Sequence, residues 1–153
     1  MRTPRVDHVN VVVADVAAVR GFLAALGVEL PSGMPEWDVH HVNVAAPAAA
    51  ANDVAGHAIG LDMDSSAFAH DWGSLGPSFS GAVVNLNVET RPDVDTLHET
   101  AVSTGARSLR APYDAFWGSR YAVVEGPSAF VVGIMSAPDD AHRHPPPDIA
   151  TFT

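Results

Sequence analysis

The stretch Val6-Asp7-His8-Val9-Asn10-Val11-Val12-Val13-Ala14-Asp15 decides how the chain reads. A β-branched run interrupted by His8 and Asn10 predicts a strand over residues 6–13. Asp15 then has the short acceptor side chain that caps a helix. Val16, Val19, Phe22, Leu23 and Leu26 recur at helical spacing, which predicts a helix with one buried stripe. Gly27 follows as its stop. The same grammar returns further along. Residues 82–88 read as a strand and Pro92 opens a helix, where its missing N–H costs little. Val94, Leu97, Ala101 and Val102 form its stripe, and Gly105 ends it. Asn10 and Asn85 take like places in the two strands, as Gly27 and Gly105 do after the two helices. A repeat of this kind sets the architecture before any single element does.

Each helix is followed by further strand-like runs. The first unit offers a short one near residues 28–30, then 37–45 and 58–63; the second offers 107–111, 119–125 and 130–135. Two tandem βαβββ modules follow: an α+β fold of mostly antiparallel sheets with the helices on one face. The 153 residues suit one domain, divided into module one (5–64), a linker (65–80), module two (81–136) and a Pro-rich tail (137–153) expected to be poorly ordered. The Ala-rich residues 46–53 read as a loop, with a short helix as the alternative. The linker carries Phe68, Trp72 and Phe79. These rings either meet a second copy of the chain or cap its own cavity.

Composition narrows the function. The net charge of −10 disfavours nucleic acid and anionic membrane surfaces as partners. The absence of cysteine removes disulfides, thiolate metal sites and Cys nucleophiles. No apolar run reaches the roughly 18 residues of a membrane helix, and the first residues lack a secretion signal's apolar stretch, so a cytoplasmic location is expected. There is no Gly-x-Ser-x-Gly elbow, and without lysine no phosphate-binding loop of the Gly-Lys type.

The opening strand and helix, the segment Ala111-Pro112-Tyr113-Asp114-Ala115-Phe116-Trp117-Gly118-Ser119-Arg120-Tyr121 with its Trp-Gly pair before a strand, and the turn at Glu125-Gly126-Pro127-Ser128-Ala129-Phe130 occur in one order on the repeated frame. In that order they resemble the glyoxalase, bleomycin-resistance and extradiol-dioxygenase superfamily, the vicinal oxygen chelate fold, over residues 5–136. The resemblance implies that the two modules form a curved, half-open sheet cavity, and that a homodimer completes the assembly. Its implied activities run from isomerisation and ring-cleaving oxygenation to drug sequestration, so fold alone selects none.

The resemblance also implies four inward metal-ligand positions, two per module. They fall at His8, at Gly60 or Asp62, at Val83 and at Gly133. Val83 and Gly133 offer no side-chain donor, whereas a catalytic metal wants three protein ligands, so no metal cofactor is expected. A shifted ligand such as His41 would revive one. Of the remaining histidines, His40 alternates away from His41, His57 begins a strand, His70 and His98 read as surface, and His142 and His144 lie in the tail.

Strand alternation supplies the candidate cavity face: His8, Asn10 and Val12; Val83, Asn85 and Asn87; Val131, Gly133 and Met135; and His41 with Asn43. Tyr113, Phe116 and Trp117 are placed at the mouth. Asn10 and Asn85 either line the site or satisfy backbone at strand ends. The site expectation is therefore His8 and Asp62 as acid and base, with Asn10, His41, Asn85, Asn87, Tyr113, Phe116, Trp117 and Met135 holding the guest. Three functions stay open: metal-free binding of a hydrophobic or aromatic small molecule; a metal-independent isomerase, cyclase or lyase; and a divalent-metal lyase or dioxygenase.

Overall fold

A computed structural model of the protein describes residues 1–28, 30–45 and 59–152. Strand β1 (Arg5–Val13) is followed by α1 (Val16–Ala25), β2 (His41–Ala45) and β3 (Gly60–Ser65). Helix α2 (Ser66–Gly73) leads into the second unit: β4 (Gly81–Val88), α3 (Arg91–Ser103), β5 (Arg107–Asp114), β6 (Arg120–Glu125) and β7 (Val131–Ser136). The seven strands form one open sheet in the order β2-β3-β1-β4-β7-β6-β5. Only β1 with β3 and β4 with β7 run parallel. The first strands of the two units, β1 and β4, lie antiparallel at the centre, and each is flanked by the last strand of its own unit.

Alternation sorts the side chains between two faces. Val88, Val94, Ala122, Val124 and Ile134 pack α3 against one face. Val12, Val83, Tyr121, Val123, Val131 and Met135 point from the sheet to the other, where Phe68 and Trp72 of α2 cover them. The helices therefore occupy both faces rather than one. Ser65 caps α2 by accepting from the Phe68 amide, and Phe68 and Trp72, four apart, share the helix side turned to the sheet.

The first unit departs further from its expected pattern. No strand forms at Val28 or Leu30, and Glu29 lies outside the described residues. Pro31 and Pro35 remove ladder donors there, and the chain turns instead: Asp38 accepts from Ser32 and Gly33, and Trp37 and Asp38 both donate backbone N–H to the Met34 carbonyl. The strand expected from Trp37 starts only at His41, because helical-type turns hold residues 37–40. The strand expected over residues 58–63 runs from Gly60 to Ser65. The Ala-rich segment and His57 lie outside the described residues. In α1 only Val16 is buried; Phe22 and Leu26, read as part of a buried stripe, are 63% and 64% exposed. In α3 Val102 is likewise exposed.

The tail is also more specifically placed than expected. Gly118, at φ +96°, accepts from the Asp139 amide, and a Cβ there would lie 2.5 Å from the Asp139 carbonyl. The His144 amide donates to the Phe116 carbonyl. Phe152 then buries its ring 5.9 Å from Trp37, 5.3 Å from His40 and 5.5 Å from Phe68.

Candidate functional site

Between the sheet, α2 and the 31–38 turn lies a cavity of about 540 Å³. Strand β1 supplies His8 and Asn10, β2 supplies His41 and Asn43, and β3 supplies Asp62 and Asp64. Strand β4 supplies Asn85, β6 Tyr121 and β7 Met135. The walls are rings: Trp37 from the turn, Phe68 and Trp72 from α2, and Phe116 and Trp117 from the Trp-Gly hairpin. Trp37 meets Phe68 at 5.4 Å, Phe116 meets Trp117 at 5.1 Å, and Trp117 meets Tyr121 at 5.5 Å between centroids, spacings typical of aromatic packing. Pro146 of the tail closes part of the wall.

The polar groups on the floor form one chain. The Tyr121 hydroxyl donates to Asn85 Oδ1 at 2.7 Å. Asn85 Nδ2 donates to Asn10 Oδ1 at 2.5 Å, and Asn10 Nδ2 donates to Asp64 Oδ2 at 2.6 Å. Asp64 Oδ1 sits 2.5 Å from His41 Nδ1. Asn10 and Asn85 thus face each other across the central β1–β4 pair, and their main partners are side chains rather than strand-end backbone. Asn85, Asp64 and Tyr121 are buried. Burial pushes the Tyr121 hydroxyl well above its ordinary value, which keeps it a donor. Burial likewise raises Asp64, against the pull of His41. In His41 burial favours the neutral ring, but the hydrogen bond and charge of Asp64 outweigh it and raise its pKa.

A second pair lies beside it. His8 Nδ1 bonds Asp7 at 2.8 Å and His8 Nε2 faces Asp62 Oδ2 at 3.8 Å. Burial again opposes the charge on His8, and Asp7 and Asp62 overcome it, so its pKa is raised. Asn43 Nδ2 holds the other Asp62 oxygen at 2.7 Å.

The cavity therefore gathers His8, Asn10, His41, Asp62, Asn85, Phe116, Trp117 and Met135. Asn87 and Tyr113 do not line it. Asn87 pairs with Arg5 and Met135 near the end of β4. The Tyr113 hydroxyl donates to the Trp72 carbonyl at 3.0 Å and Arg110 covers its ring at 4.3 Å, so it buttresses α2 from behind. His40 turns to Phe152 and Ser65. His98 bonds Ser108, and His70 bonds the Leu75 carbonyl. Tyr121 and Trp37 are cavity residues that alternation or turn chemistry alone did not single out.

Strand register relates the two units position by position. Asn10 lies beside Asp62 as Asn85 lies beside Gly133, and His41 opposes Asp64 as Tyr121 opposes Met135. Module one carries the titratable side chains and module two their apolar or phenolic counterparts. A Cβ on Gly133 would overlap Asn85 Oδ1 and the Tyr121 hydroxyl. The place where a fourth ligand would enter is filled by the Tyr121–Asn85 hydrogen bond. Among the described residues no three His, Asp or Glu side chains converge as metal ligands.

The family described as the Glyoxalase/Bleomycin resistance protein/Dioxygenase superfamily matches residues 5–134. The chain belongs to this superfamily. Solved structures share its fold. An NAD-dependent benzaldehyde dehydrogenase from Legionella pneumophila superposes with a TM-score of 0.54 at 14% identity, over 84% of this chain and 96% of that one. A Mn(II)-bound glyoxalase from Novosphingobium aromaticivorans gives 0.53 at 18%, over 88% and 40%. A variant of the Streptomyces coelicolor methylmalonyl-CoA epimerase gives 0.51 at 18%, over 88% and 98%. At these identities the likeness is one of fold. No curated protein matches the sequence. Among the described residues no helix of this superfamily member is long and apolar enough to cross a membrane.

Proposed function

We propose that the protein binds a hydrophobic or aromatic small molecule in this cavity without a catalytic metal. The observation that carries the reading is the wall: five rings, Trp37, Phe68, Trp72, Phe116 and Trp117, around about 540 Å³, over a floor that carries a few hydrogen-bonded polar groups. Apolar walls with a few orienting polar groups are the usual build of a small-molecule site, and the volume lies within the usual range. A homodimer in the cytoplasm is the expected setting, with the exposed Phe22 and Leu26 of α1 available to a second copy. Aromatic natural products and drugs titrated into purified protein are expected to raise Tm and quench tryptophan fluorescence saturably, with no loss of either effect after chelation of divalent metal. A broad set of such compounds with no effect on either signal, or binding that vanishes on chelation, would refute the reading.

A second reading rests on the two His–Asp pairs. His41 is held through Nδ1 by the buried Asp64, and His8 faces Asp62. Either imidazole is placed to move a proton on a bound guest, as a metal-independent isomerase, cyclase or lyase requires. Turnover of a bound guest that persists at the native rate in both His8→Ala and His41→Ala variants would remove this reading.

A further inference from the structure

The cavity's charge is as uneven as its polarity. Asp38, Asp62 and Asp64 line it, and among the described residues no arginine does; lysine is absent from the chain. Asp7 stands directly behind His8. Four carboxylates thus answer two imidazoles, and the site stays net negative even with His8 and His41 both protonated. Arg20 donates to the Pro31 carbonyl outside the wall and does not enter. Asp62 has one oxygen held and one less engaged: Asn43 holds Oδ1, while among the described residues Oδ2 has only His8, at 3.8 Å. Opposite these groups, the counterparts in module two are Gly133 and Met135, with Trp72, Trp117 and Tyr121 around them.

From this asymmetry we infer that the guest is a cationic amphiphile, an aromatic body carrying a protonated amine, with the amine over Asp62 and the rings against the tryptophans. This rests on the binding reading above and specifies its ligand class. An ammonium in such a place is attracted both by the carboxylates, in surroundings less polar than water, and by the faces of the rings. An anionic guest would face a floor that stays net negative, with no arginine among the described lining residues and no lysine in the chain to receive it. Phosphorylated and carboxylate-bearing guests are therefore rejected by the same floor that holds an amine, since placing like charges together discriminates as strongly as a favourable contact.

The test uses three fluorescent probes that share one body: 1-pyrenemethylamine, 1-pyrenemethanol and 1-pyrenecarboxylate. With the full-length protein near neutral pH and low salt, the amine is expected to bind at least about tenfold more tightly than the alcohol, and the acid at least about tenfold more weakly, tenfold being about 1.4 kcal/mol. Added salt should weaken the amine and leave the alcohol nearly unchanged. Asp62→Asn should collapse the amine-to-alcohol ratio. If that variant does not fold, the salt series on the native protein and Asp38→Asn carry the same comparison. Equal binding of amine and alcohol, or a tighter acid, overturns the charge inference and leaves the cavity reading intact. Failure of all three probes counts against the cavity reading itself.

Discussion

At Gly133 one added carbon would collide with the hydrogen bond between Tyr121 and Asn85 that spans the floor. The floor has no slack there, because Asn85 is fully buried and its amide is already committed to Asn10. Gly133→Ala is therefore expected to cost about 1–3 kcal/mol, the range of overpacking changes in a filled core. Tyr121→Phe alone should cost about 1 kcal/mol through the lost hydrogen bond. The double variant should cost less than the sum, since removing the hydroxyl takes away one of the atoms the new Cβ meets and frees Asn85 to shift. Urea titration of the three proteins measures this, and strict additivity would refute the steric account. Much of this site was legible in the sequence. Alternation placed His8, Asn10, Asp62, Asn85 and Met135 on one face because it depends only on the period of a strand. The pairing of Asp64 with His41, and of Tyr121 with Asn85, depends on which strands lie side by side and in what register. Those are non-local properties that no single strand records. Asn87 and Tyr113 were misplaced for a related reason: alternation gives the face but not the distance along it.

Among the elements, the turn between β6 and β7 holds Ser128 and Ala129 at φ 58° and 56°. Outside glycine and asparagine this conformation costs about 1–2 kcal/mol per residue. Ala129→Gly should relieve more strain than the added freedom of the unfolded chain removes, for a net gain of about 0.5–1 kcal/mol. A lower Tm for this variant in calorimetry would show that the turn is not strained as described. The helix α2 had a readable signal in the capping serine, Ser65, and the four-residue spacing of Phe68 and Trp72. It was read as linker because eight residues between two strands give little periodicity to count. The strand expected near residues 28–30 illustrates the converse. Its β-branched and leucine content is real, but Pro31 and Pro35 deny it ladder donors, so the segment becomes the turn that delivers Trp37 to the cavity. The exposed side of α1 shows that a helical stripe marks an apolar face without saying what covers it.

For the molecule as a whole, protonation of the cavity sets how stability varies with pH. His8 and His41 have raised values in the folded state, so their contribution is complete below about pH 6.5 and is lost as pH rises through the raised values. Asp64 acts in the same sense, since burial makes its ionised form costly; the His41–Asp64 pair retains a proton that the unfolded chain releases. His40, whose value burial lowers, opposes them weakly from a more open position. The exposed carboxylates of Asp38, Asp95, Asp114 and Asp139 are lowered and matter only as pH falls through the carboxylate range. Tm is therefore expected to decline between about pH 6 and about pH 9, and His41→Gln should flatten the decline. A Tm that climbs across this range would contradict the assignment. The repeated βαβββ frame was legible because its signals are local and occur twice, whereas the docking of the tail was not, because it depends on Gly118 lacking a side chain many residues away. That docking couples the cavity to the tail. Phe152 shares Trp37 and Phe68 with whatever occupies the site. By reciprocity of linked equilibria, a guest that tightens those rings tightens the tail's docking, and a change that undocks the tail loosens the hold on the guest.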